Sequence, residues 1–117
     1  MELVIYKEAQ GNESTIEGFL EMFYDIQMKY LASDLFIQGL DYEDVEKAIM
    51  RAIRIAQSAG LKVDQHFKLV YSQMGTTLVK DCKLSELGYA LVLINANPNN
   101  RYVAEGQLKM LNAFLQS

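Results

Sequence analysis

The chain contains one histidine and one cysteine, His66 and Cys82, and these are its only candidates for a nucleophile–base pair of the cysteine-enzyme type. Such a pair also needs a group that orients the histidine and donors that hold an oxyanion. No cysteine-enzyme signature surrounds Cys82. We therefore interpret Cys82 as a packing residue and His66 as a polar or capping residue ahead of a buried Phe67. The chain is predicted not to be an enzyme.

Metal and cofactor sites find equally little support in the residue types. One histidine and one cysteine are too few for an ordinary zinc site, and they allow no disulfide within the chain. The seven glycines are scattered, so no glycine-rich loop could cradle a phosphate. We predict no metal and no cofactor.

Basic residues occur at helical spacing in the stretch DYEDVEKAIMRAIRIAQ. Lys47, Arg51 and Arg54 stand at i, i+4 and i+7, which places them on one helix face and predicts contact with the phosphates of DNA. The alternative is a solvated face whose charges are neighbours, such as Glu43 and Lys47. Two further basic residues are candidates for the same interface: Lys29 and Lys62.

Acidic residues precede this basic stripe in the first turn of the same predicted helix. Glu43, Asp44 and Glu46 suit the positive end of a helix dipole. Together with Tyr42 they also form an acidic and aromatic surface that a protein partner could recognise. The same helix therefore supports two hypotheses, DNA contact or protein binding.

The charge balance weakens the DNA hypothesis. The chain has 11 basic and 15 acidic residues, a net charge of -4 and a pI near 4.9, whereas non-specific DNA binders usually carry an excess of Lys and Arg. Any DNA contact must use a local basic face. No apolar run reaches membrane-spanning length, and the N-terminus lacks the features of a signal peptide. We expect a cytoplasmic protein with no membrane partner.

The N-terminal quarter is ambiguous in its periodicity. Residues 3–7, LVIYK, predict a strand. In residues 16–31 apolar positions fit a helix, but a strict alternation from Leu20 to Tyr30 fits strands equally well. We favour a hairpin of two strands, 16–24 and 27–31.

The remainder predicts a mainly helical α+β domain of 117 residues. A short helix capped by Ser33 and ended by Gly39 precedes a long one between Asp41 and Gly60, in the order of a helix-turn-helix. The stretches KLVYSQ and TTLVKD are a small hairpin or irregular arms. Two C-terminal helices follow: a nearly buried one that begins at Ser85, and an amphipathic one with Val103, Leu108, Leu111 and Leu115 on its inner face. The apolar end of the last helix, LKMLNAFL, either closes the core or packs on a second copy in a homodimer.

Several short motifs, in order, carry a family resemblance. They are YLASDL, GLDY, AIMRAIRIAQSAG with VDQHF, VKDCKLS, YALVLINANPNN and VAEGQ. Over residues 30–115 the chain resembles the N-terminal domain of DNA-damage-inducible protein D, which is related to the BRO-N domain of viral BRO proteins and phage antirepressors. Ser33 departs from the pattern, because relatives usually place a basic residue there. The order Gly-Leu-Asp-Tyr also replaces Leu-Gly-Tyr.

This resemblance implies a small α+β domain linked to DNA binding, prophage control or the damage response. Family members continue into a second, charged half, so the chain is either a stand-alone version or an excised domain. Fold alone does not fix function. We expect a DNA-associated regulator that uses Lys47, Arg51 and Arg54. The alternative is an antirepressor or inhibitor that binds a host or phage regulatory protein through Tyr42, Glu43, Asp44 and Glu46.

Overall fold

A computed structural model describes residues 11–117. Within that range the chain is an α+β domain, as the sequence predicts, with helices packed around a three-stranded antiparallel sheet of order β1-β3-β2. A single turn of 3-10 helix, Val63–Gln65, precedes β2. The other elements are, in chain order, α1 Gly11–Gln27, β1 Tyr30–Leu31, α2 Asp34–Ile37, α3 Tyr42–Ser58, β2 Phe67–Met74, β3 Thr77–Leu84, α4 Glu86–Asn95 and α5 Arg101–Leu115.

The predicted hairpin of strands 16–24 and 27–31 is wrong, because residues 11–27 form the helix α1. The apolar positions Ile16, Phe19, Phe23 and Ile26 follow the helical spacing that competed with the alternating pattern. Only β1, at the end of the predicted hairpin, is extended, and its Tyr30 pairs with Leu84 of β3. The strand predicted for residues 3–7 lies outside the described residues.

The predicted helix pair is confirmed as α2 and α3. Gly39 joins them with a φ of 100°, a conformation that favours glycine. The Asp41 side chain caps α3 by accepting a hydrogen bond of 3.1 Å from the backbone N–H of Asp44. Ser33, however, makes no side-chain cap. Its backbone N–H instead donates to the buried carboxylate of Asp81 at 2.9 Å.

The stretches on either side of Met74 and Gly75 form a regular hairpin. Strands β2 and β3 pair from Phe67 opposite Leu84 to Met74 opposite Thr77, and Gly75 at the turn has a φ of 65°. Only the end that holds Phe67 and Leu84 enters the core. The other end projects with exposed Leu and Tyr side chains, so half of the hairpin lies outside the core.

The core lies between α3 and α4. Small residues on the inner face of α3, Ala48, Ala52 and Ala56, let it approach the buried Val92 of α4. The prediction of a nearly buried α4 holds for one face only, because Ile94 is 52% exposed. The core cluster also includes Leu35, Leu40, Val45, Phe67, Cys82, Leu84, Leu93 and Val103.

The predicted inner face of α5 is correct at Val103 and wrong beyond it. Val103 is fully buried, but Leu108, Leu111 and Leu115 are all more than half exposed. The packing face of α5 instead runs through Gly106, where a Cβ would lie 2.6 Å from a methyl carbon of Leu93. Every residue from Leu111 onward is exposed, so the last turns of α5 leave the core.

Candidate nucleic-acid interface

The three basic residues of α3 lie on one exposed face of the helix. Lys47, Arg51 and Arg54 are exposed, and they lie on the opposite side of α3 from buried Val45 and Ala52. Among the side chains of residues 16–117 none of the three takes part in an ion pair, and Glu43 is not bonded to Lys47. The geometry therefore leaves a stripe of uncompensated positive charge.

This stripe borders a shallow groove of about 430 Å³ between α3 and the end of α4. Met50 and Ile55 add apolar surface to the groove, and they are 63% and 41% exposed. Asn95 contributes from α4, and its amide is fixed by a 2.8 Å hydrogen bond to the carbonyl of Leu91. The groove thus combines basic side chains with apolar ones. It could bind an anionic group that carries apolar surface, such as a phosphate joined to a sugar.

Sequence reasoning missed three residues of the groove. Met50 and Ile55 follow Lys47 at i+3 and i+8, so helical spacing alone could have identified them. Asn95 lies far away along the chain, and no local pattern connects it to α3. Lys29 and Lys62 are exposed, but neither belongs to the groove lining.

The acidic residues lie at the start of α3, just before its groove residues. Tyr42, Glu43 and Glu46 are exposed and Asp44 is half-buried, all in the first turns of the helix. The Tyr42 ring lies against Phe36 of α2, with ring centres 6.0 Å apart. The structure thus separates the two predicted surfaces along one helix, acidic at its start and basic from Lys47 onward.

His66 and Cys82 do not form a pair. The hydroxyl of Ser85, which also caps α4 by accepting from the N–H of Gly88 at 3.0 Å, lies 2.7 Å from His66 Nδ1. Cys82 is 1% exposed, and burial raises the pKa of its thiol to about 11. The interpretation of Cys82 as a packing residue is confirmed, and the serine–histidine contact serves the start of α4.

A cluster of three tyrosines lies beside α4 and was not foreseen. The rings of Tyr30 and Tyr89 stack with centres 4.9 Å apart, and the hydroxyls of Tyr89 and Tyr102 are 2.8 Å apart. Burial, helped by the hydrogen bond to Tyr102, raises the pKa of Tyr89 above its ordinary value. The cluster links β1 to α4 and α5.

In the part of the chain that the structure describes, no three His, Cys, Asp or Glu side chains converge on a metal-sized site. No helix there is long and apolar enough to cross a bilayer. Comparisons with protein-family models, with curated proteins and with solved structures found no match.

Proposed function

We propose that this chain is a cytoplasmic DNA-associated regulatory domain, of the prophage-antirepressor or damage-response type, that contacts duplex DNA through the basic face of α3. One observation carries the proposal: Lys47, Arg51 and Arg54 project from one face of a helix and have no ion-pair partner among the described side chains of residues 16–117. Unpaired cations at this spacing can meet successive phosphate oxygens and release counterions.

The charge order along α3 determines how it would meet the duplex. Recognition helices usually insert their N-terminal end into the major groove. Here Glu43 and Glu46 at that end would repel phosphates, so α3 would lie with its C-terminal half along the backbone. Met50 and Ile55 would then lie against deoxyribose carbons. Such contacts bind and orient DNA with little sequence specificity.

The family resemblance supports the proposal through its own motifs. Asn100, the last residue of the NPNN motif, caps α5 by accepting from Val103 N–H and donates to the Gln38 carbonyl at 2.8 Å. Gln107, the end of VAEGQ, donates to three carbonyls at the end of α4. These residues stabilise the fold by fixing the ends of helices. A relative could therefore keep them while its exposed α3 face bound a different ligand.

A matched pair of variants tests the proposed face. Binding of a labelled duplex, measured by fluorescence anisotropy at about 50 mM salt, should weaken at least tenfold in Arg51→Ala/Arg54→Ala, because charged hydrogen bonds contribute roughly 1.5–3 kcal/mol each. Lys80→Ala/Lys109→Ala removes the same charge from exposed sites on β3 and α5 and should change affinity far less. Equal losses of DNA affinity in both variants would show that α3 is not the contact face.

A second candidate is a regulator that binds a host or phage protein and not DNA. The exposed Tyr42, which lies against half-buried Phe36 and beside Glu43, Asp44 and Glu46, favours this candidate. The net charge of -4 favours it as well. Aromatic residues often anchor protein interfaces. Cross-linking in cells tests this candidate. It is supported over the first if the chain shows no affinity for DNA and cross-links to a protein partner. That partner should be lost in Tyr42→Ala/Glu46→Lys and kept in Arg51→Ala/Arg54→Ala.

A further inference from the structure

Helix α1 exposes a continuous row of large apolar side chains. Ile16 is 58% exposed, Phe19 66%, Phe23 47% and Ile26 63%. Leu20 and Met22 border the row and are also exposed. Isolated exposed apolar residues are common on monomers, but six on one face of one helix form the kind of patch that marks an interaction surface.

The spacing of the row is that of a helix-pairing seam. Successive steps of three, four and three residues place Ile16 and Phe23 at heptad position a, and Phe19 and Ile26 at position d. Leu20 and Met22 then occupy the flanking e and g positions. We call these six residues the α1 seam.

The charges of α1 lie away from the α1 seam. Glu17, Glu21 and Asp25 fall at the outer heptad positions b, f and c. The Asp25 carboxylate lies 2.9 Å from Lys83 Nζ and 3.1 Å from Lys68 Nζ, which holds its side of the helix against the sheet. The α1 seam, roughly on the other side of the helix, therefore faces away from the sheet.

We propose that the α1 seam is a homodimer interface, in which α1 of a second copy packs antiparallel against it. A two-fold interface brings each surface against itself, so like charges on the seam would repel one another. The α1 seam has no charged residue at positions a, d, e or g over residues 16–27. It is therefore compatible with its own copy, and it lacks the e and g charges that select a different helix.

The area is sufficient for a specific dimer. Helix α1 has 17 residues, which corresponds to a length of about 25 Å. If each of the six side chains buries roughly 100 Å², the two protomers together bury about 1,200 Å², the lower bound of standard interfaces.

The antiparallel direction follows from the helix dipole and from the anchor at Asp25. Antiparallel helices place the positive end of each dipole beside the negative end of the other. They also place the two domain bodies at opposite ends of the pair, whereas a parallel pair would bring both bodies to the same end. In the antiparallel register, Ile16 faces Ile26 of the second copy and Phe19 faces Phe23 of the second copy.

Sedimentation equilibrium of the full chain from about 5 to 200 μM tests the dimer, because specific interfaces of the minimum area often have micromolar affinity. The wild type should show twice the 13.3 kDa monomer mass, and Phe19→Glu/Ile26→Glu should remain monomeric with unchanged far-UV circular dichroism. Phe19→Ala, which keeps the helix propensity, should weaken the dimer at least tenfold.

The control Ile37→Glu/Leu78→Glu, at exposed positions on α2 and β3, should dimerise like the wild type. A monomeric wild type, or a dimeric Phe19→Glu/Ile26→Glu, would overturn the proposal.

Disulfide trapping tests the direction. Ile16→Cys and Ile26→Cys, prepared as separate proteins, should cross-link when mixed and much less when each is oxidised alone. Cys82 is buried and should not interfere. Cross-linking of each variant with itself, with no link between the two different variants in the mixture, would show parallel helices and overturn the antiparallel arrangement.

Discussion

Asp25 of α1 forms an ion pair with Lys83 of β3, with 2.9 Å between the carboxylate oxygen and Nζ. Lys68, the cross-strand partner of Lys83, reaches the same oxygen at 3.1 Å. One carboxylate thus forms ion pairs with two lysines that face each other across the hairpin. The two ammonium groups hold the pKa of Asp25 below its usual value of 3.8. This contact joins the end of α1 to the sheet.

Asp25→Asn should loosen α1 and leave the core intact. The Asp25 side chain is 35% exposed, so solvent screening limits the loss of unfolding free energy to about 1 kcal/mol or less. Because the folded pKa is lowered, this stabilisation is present above about pH 4 and is lost as the pH falls through the folded pKa. Amide hydrogen exchange should speed up in α1 more than in α3. Glu21→Gln, at an exposed position of α1, is the control, and an equal effect there would contradict the role of Asp25.

Two glycine-to-alanine substitutions should have opposite signs. A Cβ at Gly88 would lie 2.5 Å from the backbone oxygen of His66, so Gly88→Ala should cost about 2 kcal/mol or more of unfolding free energy. A Cβ at Gly18 of α1 meets nothing within 4 Å, so Gly18→Ala should stabilise by about 0.5–1 kcal/mol. Urea unfolding measures both. A neutral Gly88→Ala would show that α4 does not approach His66 this closely.

Gln107 should be needed as a donor. Its Nε2 lies 3.0 Å from the Leu93 carbonyl and 3.2 Å from those of Ile94 and Ala96, at the end of α4. Gln107→Ala should cost about 1–2 kcal/mol of unfolding free energy. Gln107→Glu should cost more at pH 7, because a carboxylate would face three carbonyl oxygens, and less near pH 4. A Gln107→Glu protein as stable as the wild type would contradict this arrangement. Gln57→Glu, exposed on α3, is the control.

Cys82 should be unreactive in the folded protein. Its pKa is raised from 9.0 to about 11, mainly by burial, so the thiol stays protonated where a free cysteine would ionise. The stabilisation of the neutral form is present below pH 9 and is lost as the pH rises through about 11. Alkylation at pH 8 should be slow in buffer and fast in urea. Rapid labelling of the folded chain would contradict the burial of Cys82.

Local patterns in the sequence were sufficient to predict the helix pair α2 and α3. The Asp41 cap, Gly39 and the spacing of Val45, Ala52 and Ala56 predict both helices, and the structure has each of these features. In residues 16–31 the apolar positions fit both a helix and a strand. Helix α1 packs little against the core, so its apolar residues are not confined to one buried face that would mark the helical pattern.

The sequence could not reveal contacts between distant segments. The Ser33 N–H bonds to Asp81 and not to its own helix, and nothing near either residue indicates this contact. For the candidate site, the basic stripe was predictable from spacing, whereas Asn95 joins the groove only through the packing of α4 on α3. The exposure of the end of α5 could not be predicted. Amphipathic spacing shows that one face of a helix is apolar, but it does not show whether another element covers that face.

The salt dependence of duplex DNA binding tests the central claim most directly. The logarithm of the binding constant falls by about 0.9 per phosphate contact for each tenfold rise in salt. Contacts from Lys47, Arg51 and Arg54 alone predict a slope of about -3, and further contacts from Lys29 and Lys62 a slope between about -4 and -5. In Arg51→Ala/Arg54→Ala the slope should become less steep by about 2. A slope near zero, or no binding at about 50 mM salt, would contradict the account.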